Sequence, residues 1–167
     1  MSTDTKHEYA TPTGAEVPAS PGTAPSFVWS DARVLGYGPM DDRHREFYLV
    51  AFDLLTCDED NALRALSAFE KHAVEHFSEE EGWMHSTAFP PRDCHIDEHA
   101  AVLASVREVR EGVAQRRFGA ETVHDLAQHL FQWFPGHADY LDSALAAWMT
   151  KRKMGGKPVV LRRSLSN

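Results

Sequence analysis

Apolar residues recur in this chain at steps of three and four through four successive stretches. That period constrains the fold more than any other feature of the sequence. The first stretch runs from about 41 to 56, with Met40, His44, Phe47, Val50, Ala51 and Leu54 on one side and Asp41 as the expected N-cap. The second runs from about 59 to 85 and lines up Leu63, Leu66, Phe69, Ala73, His76, Phe77 and Glu80. The third, from about 93 to 117, contains Gly112, which weakens its end. The fourth, from about 120 to 150, carries Val123, Leu126, Leu130, Phe134, His137, Leu141, Leu145 and Trp148. Phe89-Pro90-Pro91 and Phe118-Gly119 separate the later stretches, because proline lacks a donor and disfavours a helical residue before it. Nothing alternates with the period of two that a half-buried strand requires. The expected fold is all-α, an up-down-up-down four-helix bundle with short links. Pro135-Gly136 interrupts the fourth pattern and predicts a local distortion that frees a carbonyl near Phe131, without breaking the helix.

The flanks differ from this core. Residues 1–26 are rich in Pro, Thr, Ser, Gly and Ala and nearly lack large apolar side chains, which predicts a disordered arm. Phe27 to about residue 150 forms the expected domain, and 151–167 a basic tail. That tail holds Lys151, Arg152, Lys153, Lys157, Arg162 and Arg163 and no acid, leaving 11 of the 17 basic residues against all 25 acidic ones elsewhere. A net charge of −8 argues against general nucleic-acid binding. No apolar run is long enough to span a membrane, and the N-terminus has no secretory apolar segment, so the expectation is a cytoplasmic monomer. Cys57 and Cys94 lack the spacing of a thiolate metal site and are read as ordinary thiols.

Ten histidines are unusual for 167 residues, and their spacing is informative. His76 and Glu80 lie four apart, as do His95 and His99, so each pair shares a helix face and can reach one cation or two adjacent ones. His44 lies on the apolar face of the first helix and His137 on that of the fourth. Asp142 is five residues beyond His137, about 140° past it on an ideal helix. The two meet only if Asp142 reaches across or the Pro135 distortion rewinds the turn. A lone histidine on an apolar face is ordinarily a hydrogen-bonded core residue. Five imidazoles and two carboxylates aimed at one interior are better explained by metal, since an unpaired buried charge costs several kcal/mol. Imidazole with carboxylate suits Zn, Fe, Ni or Cu, and the absence of cysteine ligands excludes an iron–sulfur cluster. Seven ligands exceed the four that one zinc takes. Two cations bridged by both acids use all seven, and the shared anions offset cation–cation repulsion. His72, four before His76, is a weaker alternative ligand, and His7, His85, His124 and His129 read as surface or boundary residues.

Trp29, Met40-Asp-Asp-Arg-His44, His76-Phe-Ser-Glu-Glu-Glu-Gly-Trp-Met84, His95-Ile-Asp-Glu-His99 and Trp133-Phe-Pro-Gly-His-Ala-Asp-Tyr-Leu-Asp142 resemble the bacterial branch of the hemerythrin family, over about Phe27 to Met149. The resemblance implies two non-haem irons (Fe2+/Fe3+) with an oxo or hydroxo bridge. His95, His99 and His137 would hold one and His44 and His76 the other, with Glu80 and Asp142 bridging. It also implies a ligand pocket of Phe77, Val102, Trp133, Phe134 and Ala138, and reversible binding of dioxygen as carrier, store or delivery protein rather than enzyme. Val102 and Ala138 are smaller than the Phe and the Ile or Leu common in the family. A roomier pocket that admits water or small anions is therefore expected. An oxygen or redox sensor acting through a partner is the alternative function, and a di-iron oxidase or peroxidase a more distant one. Di-iron enzymes of the ferritin type use Glu-x-x-His pairs, whereas Glu75 and Glu98 are immediate neighbours of His76 and His99.

Overall fold

The computed structural model describes residues 27–153. The arm expected at 1–26 and the tail beyond 153 lie outside the described residues. Four rods account for nearly all of the described chain: α1 (Gly38–Thr56), α2 (Ala62–Ser86), α3 (Arg92–Ala114), and α4 (Ala120–His137), which continues into α5 (Ser143–Lys153). Among the described residues there is no strand, and no helix is long and apolar enough to cross a membrane. Lys151, Arg152 and Lys153 form the last turn of α5, where their charges face the negative end of the helix dipole.

Three helix ends differ from expectation. Asp41 does not cap α1, which begins at Gly38 with Pro39 in its first turn, where a missing N–H costs nothing. The buried Asp41 carboxylate instead accepts the backbone N–H groups of Leu35 (2.7 Å) and Gly36 (3.1 Å) and ties the preceding loop to the bundle. Helix α2 starts at Ala62, after a turn in which Asp58 Oδ1 accepts the Asn61 N–H at 2.9 Å. Helix α3 ends at Ala114 because Phe118 folds back over Gly112, where its ring occupies the space a Cβ would need. Arg116 supplies the left-handed turn (φ 58°), and the Arg117 N–H bonds back to the Gly112 carbonyl at 2.8 Å.

Two apolar clusters fill the interior. The larger includes Phe47, Leu54, Leu66, Phe69, Phe77, Val106, Leu130, Phe131 and Phe134. The smaller holds Met40, Met84, Phe89, Leu145 and Ala146 at the other end. Each large side chain so buried contributes roughly 1.5–3 kcal/mol. Along every rod a band of buried polar residues lies between these clusters: His44 on α1, His76 and Glu80 on α2, His95 and His99 on α3, His137 and Asp142 on the fourth. Apolar layers above and below keep water from that band.

The fourth rod answers the question raised by its sequence. Proline is accommodated inside α4, and the distortion falls just after it, as a π-turn over Ala138–Asp142. The Ser143 N–H bonds to the Ala138 carbonyl five residues back. A turn closed by i→i+5 bonds brings residues five apart nearly into register. His137 and Asp142 therefore share a face.

Candidate metal centre

Glu80, His95, His99, His137 and Asp142 each present one nitrogen or oxygen such that all lie within 4.8 Å of one another, and His44, His76 and Glu80 do the same. All seven residues are buried. Each carboxylate is divided between the two histidine sets. Glu80 Oε1 is 3.0 Å from His76 Nε2, while its Oε2 is 3.3 Å from both His95 Nε2 and His99 Nε2. Asp142 Oδ2 is 3.1 Å from His44 Nε2, while its Oδ1 is 3.0 Å from His95 Nε2 and 3.2 Å from His137 Nε2. One histidine set therefore has three imidazoles and the other two, and both share the same two acids.

These residues fit a pair of cations. His44 Nε2, His99 Nε2, Glu80 Oε2 and both Asp142 oxygens are buried with no aligned hydrogen-bond partner, although charges of opposite sign stand beside them. They converge on common points rather than on each other. The Nε2 atoms of His95 and His137 face one another at 3.1 Å. Separations of about 3 Å are those of adjacent ligands around a cation that holds each at ~2.1 Å. A donor set of nitrogen and oxygen without thiolate admits iron, manganese or zinc.

The electrostatics describe what a cation replaces. Burial and the charge of Asp142 push the Glu80 carboxyl up, but the charge of His76, its hydrogen bond to Oε1 and the close His95 imidazole outweigh them and hold it below its ordinary range. Burial likewise pushes Asp142 up, but the close imidazoles of His137, His44 and His95 outweigh it and hold the carboxyl well down. Burial disfavours the charged form of His95, yet the adjacent carboxylates of Asp142 and Glu80 raise it to about 9. His137 is raised for the same reason, while burial leaves His99 lowered. The proton held on His95 thus helps balance two buried carboxylates at neutral pH, and bound metal must displace it.

The surrounding side chains are mainly aromatic. Phe77 stacks flat on His99 with centroids 3.9 Å apart, and Phe134 meets His44 edge-on at 5.0 Å. Trp133 lies 4.4 Å from His137. Ala138 is buried among the core residues. Val102 lines a groove of about 490 Å³ between α3 and α4, with Ala101, Ser105, Leu126, Leu130 and Trp133. The room expected at Val102 is thus an outward-facing groove lined by none of the seven converging residues. Small side chains on α3 leave it unfilled.

His72 is buried against Glu46 (3.6 Å) and belongs to neither converging set. Burial and the neighbouring His76 and Arg43 charges lower it to about 4. His85 and His129 are exposed, and His124 donates from Nε2 to the Cys57 carbonyl at 2.8 Å. Glu121-Thr-Val-His124 has the Glu-x-x-His spacing, which the sequence reading overlooked, but neither residue belongs to a converging set, while His7 lies outside the described residues. Sequence reading missed two acids behind the imidazoles. Glu98 accepts the Nδ1–H of His137 at 2.9 Å, and Glu81 stands 3.6 Å from His99 Nδ1. Glu98 and His137 are on different helices, 39 residues apart, so no local spacing could have signalled the pair.

Comparison with known proteins accords with this geometry. Residues 35–149 match the family model described as the hemerythrin HHE cation binding domain. The chain is 35% identical to a bacteriohemerythrin of Ralstonia nicotianae over 130 residues, 77% of this chain and 92% of that protein. It is 34% identical to a hemerythrin subunit of Sipunculus nudus over 89 residues, 53% of this chain and 72% of that one.

Proposed function

This chain belongs to the hemerythrin family, and from that premise we propose that it binds dioxygen reversibly at a pair of non-haem irons, as a carrier or store. The observation that carries this reading is the division of Glu80 and Asp142, each with one oxygen toward the three-histidine set and one toward the two-histidine set. His95, His99 and His137 would hold one iron and His44 and His76 the other, with Glu80 and Asp142 shared between them. Bound there, the iron pair would supply the two electrons that reversible dioxygen binding requires.

The side chains serve that exchange in distinct ways. The His44 and His76 set offers one imidazole fewer than the other, so a cation held there would have room for an incoming small molecule. Phe134 against His44, Phe77 between His76 and His99, and Trp133 beside His137 wall the centre with apolar surface, which excludes water and slows irreversible oxidation. Small anions compete for the same opening.

The test is spectroscopic. Deoxygenated ferrous protein mixed with oxygen in a stopped-flow instrument is expected to develop a long-lived visible band that vanishes under vacuum and returns with oxygen. Direct conversion to the ferric state without that band would contradict reversible binding and favour redox sensing or turnover.

A second expectation concerns Val102. Phenylalanine at this position would fill part of the groove between α3 and α4, beside Trp133, and narrow any route by which water reaches the centre from that side. Val102→Phe should slow autoxidation of the oxygenated protein several-fold, measured as loss of the visible band over time. An unchanged rate would place water entry elsewhere.

A further inference from the structure

The five imidazoles of the centre are not supported alike on their outer faces. His44, His76 and His95 have a buried Nδ1 with no hydrogen-bond partner among the described residues, and His99 Nδ1 is 3.6 Å from Glu81. His137 alone of the five has its Nδ1 in a hydrogen bond, donated to Glu98 Oε2 at 2.9 Å. The same oxygen accepts the Trp133 indole N–H at 3.3 Å. Trp133 lies one helical turn before His137 on α4, so two donors from one helix hold a single carboxylate of α3 in place. Glu98 is half exposed at the rim of the groove between these helices.

An acceptor at Nδ1 fixes the tautomer, leaving the Nε2 lone pair free to face a cation, and a charged acceptor raises the basicity of that lone pair. We propose that Glu98 is a positioning residue that locks His137 in the metal-binding tautomer and, through it, favours the ferric state of the iron held by three histidines. Trp133 orients the carboxylate for this purpose. The unequal support makes the two irons inequivalent beyond their ligand count. The anionic partner sits behind the three-histidine set, and neither histidine of the other set has one.

The inference rests on the two-iron reading above, and its test separates the two. Wild-type, Glu98→Leu and Glu98→Gln proteins are compared for iron per chain, iron affinity by chelator competition, and midpoint potential, with helical content confirming the fold. Glu98→Leu should weaken iron binding at one of the two positions by about 10–100-fold. Glu98→Gln, whose side-chain carbonyl still accepts the Nδ1–H, should recover most of that affinity. Both variants lose the anion and should show a higher midpoint potential than wild type. Two irons in wild type with unchanged affinity and potential in Glu98→Leu would overturn this inference alone. Equal loss of affinity in both variants would overturn the acceptor role, and fewer than two irons in wild type would overturn the two-iron reading and this inference together.

Discussion

Glu80→Ala protein produced with ample iron is expected to hold almost none. Of the two acids in the converging sets Glu80 is the one from α2, and its two oxygens contact three imidazoles drawn from both sets. Two dications ~4 Å apart repel by about 16 kcal/mol at an effective dielectric constant near 20. Without Glu80 only Asp142 remains between them. Residues that merely orient a metal ligand cost 10–100-fold in affinity when replaced, so losing a ligand shared by two cations should cost more than about 100-fold. Elemental analysis of the purified variant reads the effect directly. His95→Ala should lose most of the metal from the three-histidine position, since His95 Nε2 contacts both acids. His72→Ala should load like wild type, because His72 stands outside both sets. Equal loss in His72→Ala and His95→Ala would reassign the ligands.

Removing iron by chelation should lower the melting temperature by about 10 °C or more, and by more at pH 9 than at pH 6.5. A metal present at a thousandfold excess over its dissociation constant stabilises the folded chain by about 4 kcal/mol. For a domain of this size each kcal/mol is worth about 2–4 °C or somewhat more. The pH dependence follows from His95, whose folded-state value is raised to about 9 by Asp142 and Glu80. A raised value contributes stability that is fully present below the unfolded value, near 6.5, and is lost as pH rises through about 9. The metal-free chain therefore weakens across that window, as two buried carboxylates lose an imidazolium partner. With iron bound, His95 is already neutral and the window disappears. Calorimetric scans of loaded and chelated protein at three pH values test both signs. A difference that shrinks toward pH 9 would contradict the protonation scheme.

Much of the architecture was legible because a 3.6-residue period leaves a repeated mark. His44, His76, Glu80, His95 and His99 were assigned to inward faces by spacing alone, and the four rods place all five side chains within the bundle. Ends were less legible, since they depend on contacts the period does not encode. Asp41 looks like a cap and instead binds the preceding loop, and Phe118 ends α3 by packing over Gly112. Asp142 was a geometric contradiction so long as the helix was taken as ideal. The π-turn at Ala138–Asp142 removes it, and only the neighbouring proline hinted at irregularity. Glu98 left no trace at all, because its partner is on another helix. The groove at Val102 was foreseen as extra room but not in its outward direction. That direction depends on how α3 and α4 diverge, not on the size of one side chain.

X-ray absorption at the iron edge of the loaded protein tests the central claim most directly. The account predicts two irons per chain, a neighbouring iron at about 3.5–4 Å or less, and nitrogen and oxygen donors with no sulfur. A single iron per chain, or a spectrum without an iron–iron signal at full loading, would contradict it.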